Sequence, residues 1–338
     1  MLRRAVLPRL ASLGLLLSAG CTSGAGAIVG GSSTGGAGAP EDAPITSYQM
    51  QVAPIAVAPG VENTQCITLR LKNAEAGYVR RIHAQLTQGS HHMIAYRSIV
   101  QTEYPTPTDC FAFSGAFIGG NHPIFIAQQP DATLQLPTDV ETGKPVGVAI
   151  DQDQMLYLEL HYINTTDKPL EVSGSIQFDT VPIGSDVLPS DMAFWGTSHI
   201  DIAPNSDWST KVLYQPAIAG TKTFAITTHQ HHRGKRMRIW HAAGDDITSA
   251  PLVADGTSWA NPPLEVFDPP MAHPDSGDGV TSSKGFAYQC EWQNSTPDHV
   301  GFGESANDEM CFLWHYYYPS QGFQGCIDGK CTLRSGDQ

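Results

Sequence analysis

From residue 45 onward no long stretch of the chain carries a helical period, and this constrains the fold more than any other feature. Apolar side chains alternate instead over short runs. Ile67, Leu69 and Leu71 alternate with Thr68, Arg70 and Lys72, and Leu156, Leu158 and Leu160 alternate with Tyr157, Glu159 and His161. Successive residues of a strand point to opposite faces, so a period of two predicts strands. Pro, Gly, Asn and Asp interrupt the runs, and 24 prolines with 33 glycines in 338 residues argue against a helical protein. Many short strands between turn signals predict an all-β protein of β-sandwich type. The length allows two domains with cores of their own. Val181-Pro182-Ile183-Gly184-Ser185 reads as the break between them, which predicts two tandem β-sandwiches over residues 45–182 and 183–338.

The N-terminus reads differently. Arg3, Arg4 and Arg9 precede the apolar run Leu13-Gly14-Leu15-Leu16-Leu17, so residues 1–20 are expected to be an export signal. Ser18-Ala19-Gly20-Cys21 resembles a bacterial lipobox, although Ser18 stands where leucine is usual. Lipidation at Cys21 is therefore expected, with plain secretion as the alternative. Residues 21–44 are mostly Gly, Ser, Ala and Thr, a composition that makes a flexible tether and cannot form a core. Together these features predict a cell-envelope lipoprotein, on the periplasmic side of an outer membrane, whose globular body is anchored by lipid. Loss of the signal leaves 16 basic against 33 acidic side chains, a net charge of −17. A body this acidic does not seek nucleic acid.

Without Cys21, six cysteines remain, and an even number in an exported chain suggests three disulfides. Six cysteines allow 15 pairings. Their spread over three neighbourhoods suggests Cys66–Cys110, Cys290–Cys311 and Cys326–Cys331.

Candidate metal ligands lie in four places. Thr228-His229-Gln230-His231-His232-Arg233-Gly234 follows a run with strand character, and residues two apart on a strand share a face. His229 and His231 can thus grip one ion, although an isolated pair also suits a plain surface strand. His91 and His92 are adjacent, so sharing an ion requires a bulge or twist there. His161 lies on the strand face opposite the leucines and is a third donor from another strand, or an ordinary strand residue. Met310, beside Cys311, is core filler unless it is a ligand, and a thioether ligand means copper, since it is soft and suits Cu(I).

These pieces in this order resemble the copper type II, ascorbate-dependent monooxygenases, from about residue 60 to 320. His91-His92-Met93 is similar to the family's His-His-Met, and Leu160-His161-Tyr162 to the strand that completes the same site. His229-Gln230-His231 with Gly234 resembles the second site's His-X-His, and Glu309-Met310-Cys311 the methionine segment. Cys66 and Cys110 flank the His-His pair as a family disulfide does, and Cys290–Cys311 matches the bridge beside the methionine. The resemblance implies an enzyme with two coppers, fed by ascorbate or another one-electron donor, that uses O2 to hydroxylate a C–H bond of a small organic substrate; the chain is expected to act as a monomer. His91, His92 and His161 would hold an electron-transfer copper, and His229, His231 and Met310 the copper that activates oxygen. It also implies jelly-roll-like sandwiches facing each other across a solvent-filled cleft.

The departures concern substrate. Where the peptide-amidating member has an arginine two residues before its His-X-His, this chain has Thr227. Where that member has an asparagine and a tyrosine past the methionine, this chain has Phe312 and Trp314. The substrate pocket read from these three residues suits an apolar or aromatic molecule rather than a peptide carboxylate. His232 and His315 adjoin the ligand segments and are read as polar strand residues, with support of the ligands as the other reading. The remaining histidines are read as ordinary. A competing function is a non-catalytic copper-binding envelope lipoprotein that buffers or delivers copper, and a weaker one is an adhesion or binding module with vestigial metal sites. Against buffering, the 8 methionines form no Met-rich tract.

Overall fold

The alternating runs fold as strands, and among the described residues there is no helix. The structure, a computed structural model, describes residues 45–111, 113 and 120–334. The expected signal, the tether and Cys21 lie outside the described residues.

In the first half, one sheet runs in the order Thr46–Val57, Leu170–Pro182, Gly77–Leu86, Val146–Ile150 and Leu188–Pro189, and Asp131–Gln135 also pairs with Gly77–Leu86. The second runs Tyr104–Asp109, Glu62–Arg70, Met155–Ile163, Ser90–Arg97 and His122–Ala127. The strand Leu188–Pro189 lies beyond Pro182 and still belongs to the first half. In the second half, a six-stranded sheet runs Leu264–Ala272, Lys222–His229, Cys311–Tyr318, Asp191–Thr197, Phe323–Ile327 and Lys330–Arg334. Its partner sheet runs Ser206–Ser209, Thr281–Asn294, Gly234–Ala242 and Leu252–Gly256, with Leu213–Ile218 also on Thr281–Asn294.

These four larger sheets stack as layers, with a separate two-stranded sheet of Asp201–Ile202 and Val300–Gly301, and the middle contact positions the site. One apolar cluster joins both sheets of the first half to Phe194, Phe224, Met310, Phe312, Trp314, Tyr316 and Tyr318 of the second. A separate cluster, with Trp195, Ile226, Met237, Phe286, Trp292, Cys311 and Leu313, fills the second sandwich. The strand Cys311–Tyr318 is therefore buried at every position. Its odd residues Cys311, Leu313 and Tyr317 enter the second sandwich, and its even residues face the first half. A strand covered on both faces reads as a continuous apolar run, and CFLWHYYY does.

Polar groups reinforce the joint. The Ile126 backbone N–H donates to the Tyr316 hydroxyl at 3.1 Å. Lys222 of the second half donates to buried Asp139 of the first at 2.6 Å, and the Tyr318 hydroxyl donates to the same oxygen at 3.0 Å. Burial opposes ionisation of Asp139, but these hydrogen bonds outweigh it and hold its pKa at about 2. From Asp42 onward the chain forms one compact unit. The two sandwiches meet directly where the family resemblance implies a solvent-filled cleft: the apolar cluster of the first half continues into the even-numbered residues of Cys311–Tyr318.

The structure pairs Cys66 with Cys110, Cys290 with Cys311 and Cys326 with Cys331. Cys290–Cys311 ties the two sheets of the second sandwich at the residue next to Met310. Replacing both with alanine should cost about 2–5 kcal/mol, measured by chemical denaturation. An unchanged midpoint would mean that the bridge does not support this fold.

Candidate metal centre

Local backbone features bring the histidines together. Ser90 pairs with Tyr162 and His92 with His161, and the register shifts between them, leaving His91 as an extra residue. This bulge lets both adjacent rings serve one site. His229 is the last residue of its strand and pairs with Phe312. His231 lies just past the strand end, where the Gly234 N–H donates to the His231 carbonyl at 2.9 Å. Gly234 is required by space, since a Cβ there would lie 2.6 Å from Cβ of Gln230. Although His231 is off the strand, its ring still comes within 5.3 Å of His229.

Five of the six expected ligands form one nest. His91 lies 5.2 Å from His92, 5.4 Å from His161, 5.8 Å from His229 and 6.1 Å from His231, ring centre to ring centre. Two triads have nitrogens close enough to share an ion: His91, His92 and His161, and His91 with His229 and His231. His91 thus belongs to both sets. Met310 directly precedes the strand Cys311–Tyr318 and is buried with Phe312 in the joint between the halves. Thr227, Phe312 and Trp314 are also buried. Phe312 stacks on Phe194 at 4.3 Å, Trp314 lies 4.4 Å from Phe194, and Thr227 accepts a hydrogen bond from Gln128. These three residues are packed into the joint, and neither described cavity is lined by them.

The nest suits a metal that binds imidazole. Nε2 of His91, Nδ1 of His92, Nε2 of His229 and Nε2 of His231 are buried without hydrogen-bond partners. A buried polar atom left unpaired costs about 1–3 kcal/mol, so four on rings gathered in one place call for a ligand. Burial, reinforced by the neighbouring rings, pushes the pKa values of His91, His92 and His229 well below the usual range and that of His231 to about 4. The rings are therefore neutral and carry the lone pairs that a metal needs.

Several residues support the nest, and of these Glu62, Phe113 and Trp259 lie outside every segment that carries the resemblance. Glu62 accepts from His161 Nε2 at 2.9 Å and from Ser305 and Ala306 of the second half. Burial opposes its ionisation, yet these hydrogen bonds hold its pKa at about 2. An ionised carboxylate only accepts, so His161 Nε2 carries the proton and Nδ1, 3.3 Å from His92, faces the nest. A cavity of about 260 Å³ beside Glu62, His161, Glu304 and Phe111 reaches this edge. Glu309 accepts from the backbone N–H of His231 and Arg233 and from the Trp292 indole, and burial raises its pKa to about 7. It pins the His-X-His turn to the residue next to Met310. Phe113, at φ +56°, packs on His92 and His229, and its N–H donates to buried Glu159. Trp259 lies 5.1 Å from His91.

Of the other histidines, His232 bonds the Ala306 carbonyl through Nδ1, and five more fall into two groups. His83, His199 and His299 pair with Asp131, Asp328 and Asp201. His273 and His315 are buried and share the Thr223 hydroxyl, at 2.8 and 3.2 Å. Burial, aided by His241, lowers the His273 pKa to about 3, and burial with His273 lowers that of His315. The unfolded chain takes up a proton at each as pH falls below about 6.5, whereas the folded chain does not. Stability from these groups is thus present above about 6.5 and lost as pH falls below it, for His273 until about 3. Each should contribute a loss of up to about 1.4 kcal/mol per pH unit. Melting curves of metal-free protein between pH 7 and 4 check this. His273→Gln should flatten the slope, and an identical slope would remove His273 as its source.

Residues 209–332 match the family described as copper type II ascorbate-dependent monooxygenase, C-terminal domain. A search of curated proteins finds no match to this chain. Among solved structures, the major capsid protein P2 from bacteriophage PM2 is similar at 9% identity and a TM-score of 0.34, covering 81% of this chain and 97% of that one. The STIV MCP is similar at 10% identity and 0.33, covering 80% and 95%. Likenesses this distant carry no argument.

Proposed function

We infer that this chain, which through residues 209–332 belongs to the copper type II ascorbate-dependent monooxygenase family, is a monooxygenase that hydroxylates a C–H bond of a small organic substrate. O2 and a one-electron donor such as ascorbate are its co-substrates. One observation carries the reading: five imidazoles from both halves converge in one buried nest with four ring nitrogens unpaired.

His91, His92 and His161 would hold an electron-transfer copper, and His229, His231 and Met310 the copper at which oxygen is used. When bound, copper supplies one-electron redox chemistry at a C–H bond, and a thioether among its ligands favours the Cu(I) form that meets O2. The chain's own residues prepare the site. Glu62 orients His161, and Glu309 fixes the turn that presents His231. Phe113, Phe194, Phe312 and Trp314 pack against one another and keep water from that side of the nest. We propose an apolar or aromatic substrate rather than an anionic one, since Thr227 stands two residues before the His-X-His, where the peptide-amidating member has an arginine for a carboxylate. We further propose that the body works as a monomer at the cell envelope, tethered through a lipid on Cys21.

Copper stoichiometry on the chain, paired with oxygen uptake in the presence of ascorbate, tests the reading. Two coppers per chain, with ascorbate-driven O2 consumption that an aromatic substrate enhances, are expected. Two coppers that stay inert to oxygen would favour the copper-buffering alternative. One copper or none would remove the six-ligand assignment.

A further inference from the structure

Gln128 lies just past the strand His122–Ala127 of the first half and is 4% exposed. Its side-chain hydrogen bonds all cross to the second half. Nε2 lies 2.9 Å from Thr227 Oγ1 and 2.9 Å from the Thr228 carbonyl oxygen, and Oε1 lies 2.6 Å from His229 Nδ1. The orientation of an amide is ordinarily ambiguous, but a carbonyl oxygen can only accept. The atom facing Thr228 must therefore be the NH2 group, and the atom facing His229 must be the oxygen. An amide oxygen only accepts in turn, so His229 Nδ1 must carry the proton. That leaves the lone pair of His229 on Nε2, the buried nitrogen that lacks a partner.

We propose that Gln128 is a positioning residue for the second metal site: it fixes His229 in the Nδ1–H tautomer and aims Nε2 into the nest, so that the first half completes the site of the second. This role deepens the monooxygenase reading and rests on it for its catalytic meaning. The tautomer itself does not depend on that reading. Hydrogen bonds to the far nitrogen of a metal-binding histidine set its tautomer and basicity, and losing one typically costs about 10–100-fold in metal affinity or activity. Gln128 differs from most such partners in coming from the opposite sandwich. A second half without the first would hold the same His229 with its tautomer unfixed.

The test uses full-length Gln128→Leu and Gln128→Glu, with Gln128→Met, unbranched and without an amide, in reserve if the leucine variant does not fold. In metal-free protein, 15N-resolved NMR of the His229 ring reports the tautomer. Wild type should show Nδ1–H and Gln128→Leu should move it towards a mixture, whereas Gln128→Glu should keep Nδ1–H through the oxygen facing His229 at a cost in stability, since its other oxygen meets the Thr228 carbonyl. After copper loading, Gln128→Leu should weaken one of the two sites by about 10–100-fold. Its EPR signal should change while that of the His91, His92 and His161 site does not. An unchanged tautomer in the leucine or methionine variant, or equal weakening of both sites, would overturn the proposal. Wild-type protein that binds no copper would instead overturn the monooxygenase reading, with the NMR result still deciding the tautomer.

Discussion

His229→Ala should abolish turnover, lowering kcat/KM by more than about 100-fold, the upper end of what loss of a supporting partner costs. The ring is 1% exposed, and its unpaired Nε2 lies among the other rings of the nest. His231 is itself an expected ligand and His232 is bonded to the Ala306 carbonyl, so neither neighbouring imidazole takes the place of His229. The structural penalty is smaller. Removal of the ring strands Gln128 Oε1, at about 1–3 kcal/mol. Activity, metal content and melting temperature measured together separate the two effects, since a chain that merely unfolds loses all three. Met310→Ala belongs to the same experiment, because a thioether is the weakest donor of its set. That variant should keep most of its copper and lose turnover, and retained turnover would remove Met310 from the assignment.

The second large effect concerns the joint. Trp314→Ala should destabilise the chain by about 3–5 kcal/mol, as large-to-small changes at buried aromatic positions do. Trp314 is fully buried, within 4.4 Å of Phe194 and 5.9 Å of Phe113, ring centre to ring centre. Phe194 belongs to the second half and Phe113 to the first, so the cavity would open between the sandwiches beside the nest. Calorimetry should show a fall in Tm on the order of 10 °C. The copper affinity of His229 should fall with it, because its bond to Gln128 spans the same joint. A stability loss below about 1 kcal/mol would mean that the halves hold together without this contact.

What the sequence made legible follows from what is local in it. Alternation at Leu156, Leu158 and Leu160 marked a strand because those leucines point into the first sandwich while Glu159 and His161 point away. The need for a bulge at His91 was also readable, since two adjacent side chains cannot share a flat face, and the register does shift there. The joint was not readable. Periodicity tells that both faces of Cys311–Tyr318 are apolar, but not that the second face is covered by another domain rather than lining a cleft. For the same reason Thr227, Phe312 and Trp314 read as a pocket and are packed against neighbours instead. Glu62 and Gln128 were invisible for a different reason. Each acts on a histidine 99 or 101 positions away, through a contact that no spacing rule encodes.

The doubly covered strand also bears on how such a chain can be divided. A gene fragment that encoded only the second half would present Phe312, Trp314, Tyr316 and Tyr318 to water as one aromatic wall. Exposed apolar patches of that kind drive self-association. Recombination that swaps one sandwich for a foreign one would have to bring a matching wall with it. The two halves are therefore heritable as a pair, and variation between related chains should be found at their outer sheets before it is found at the surface they share.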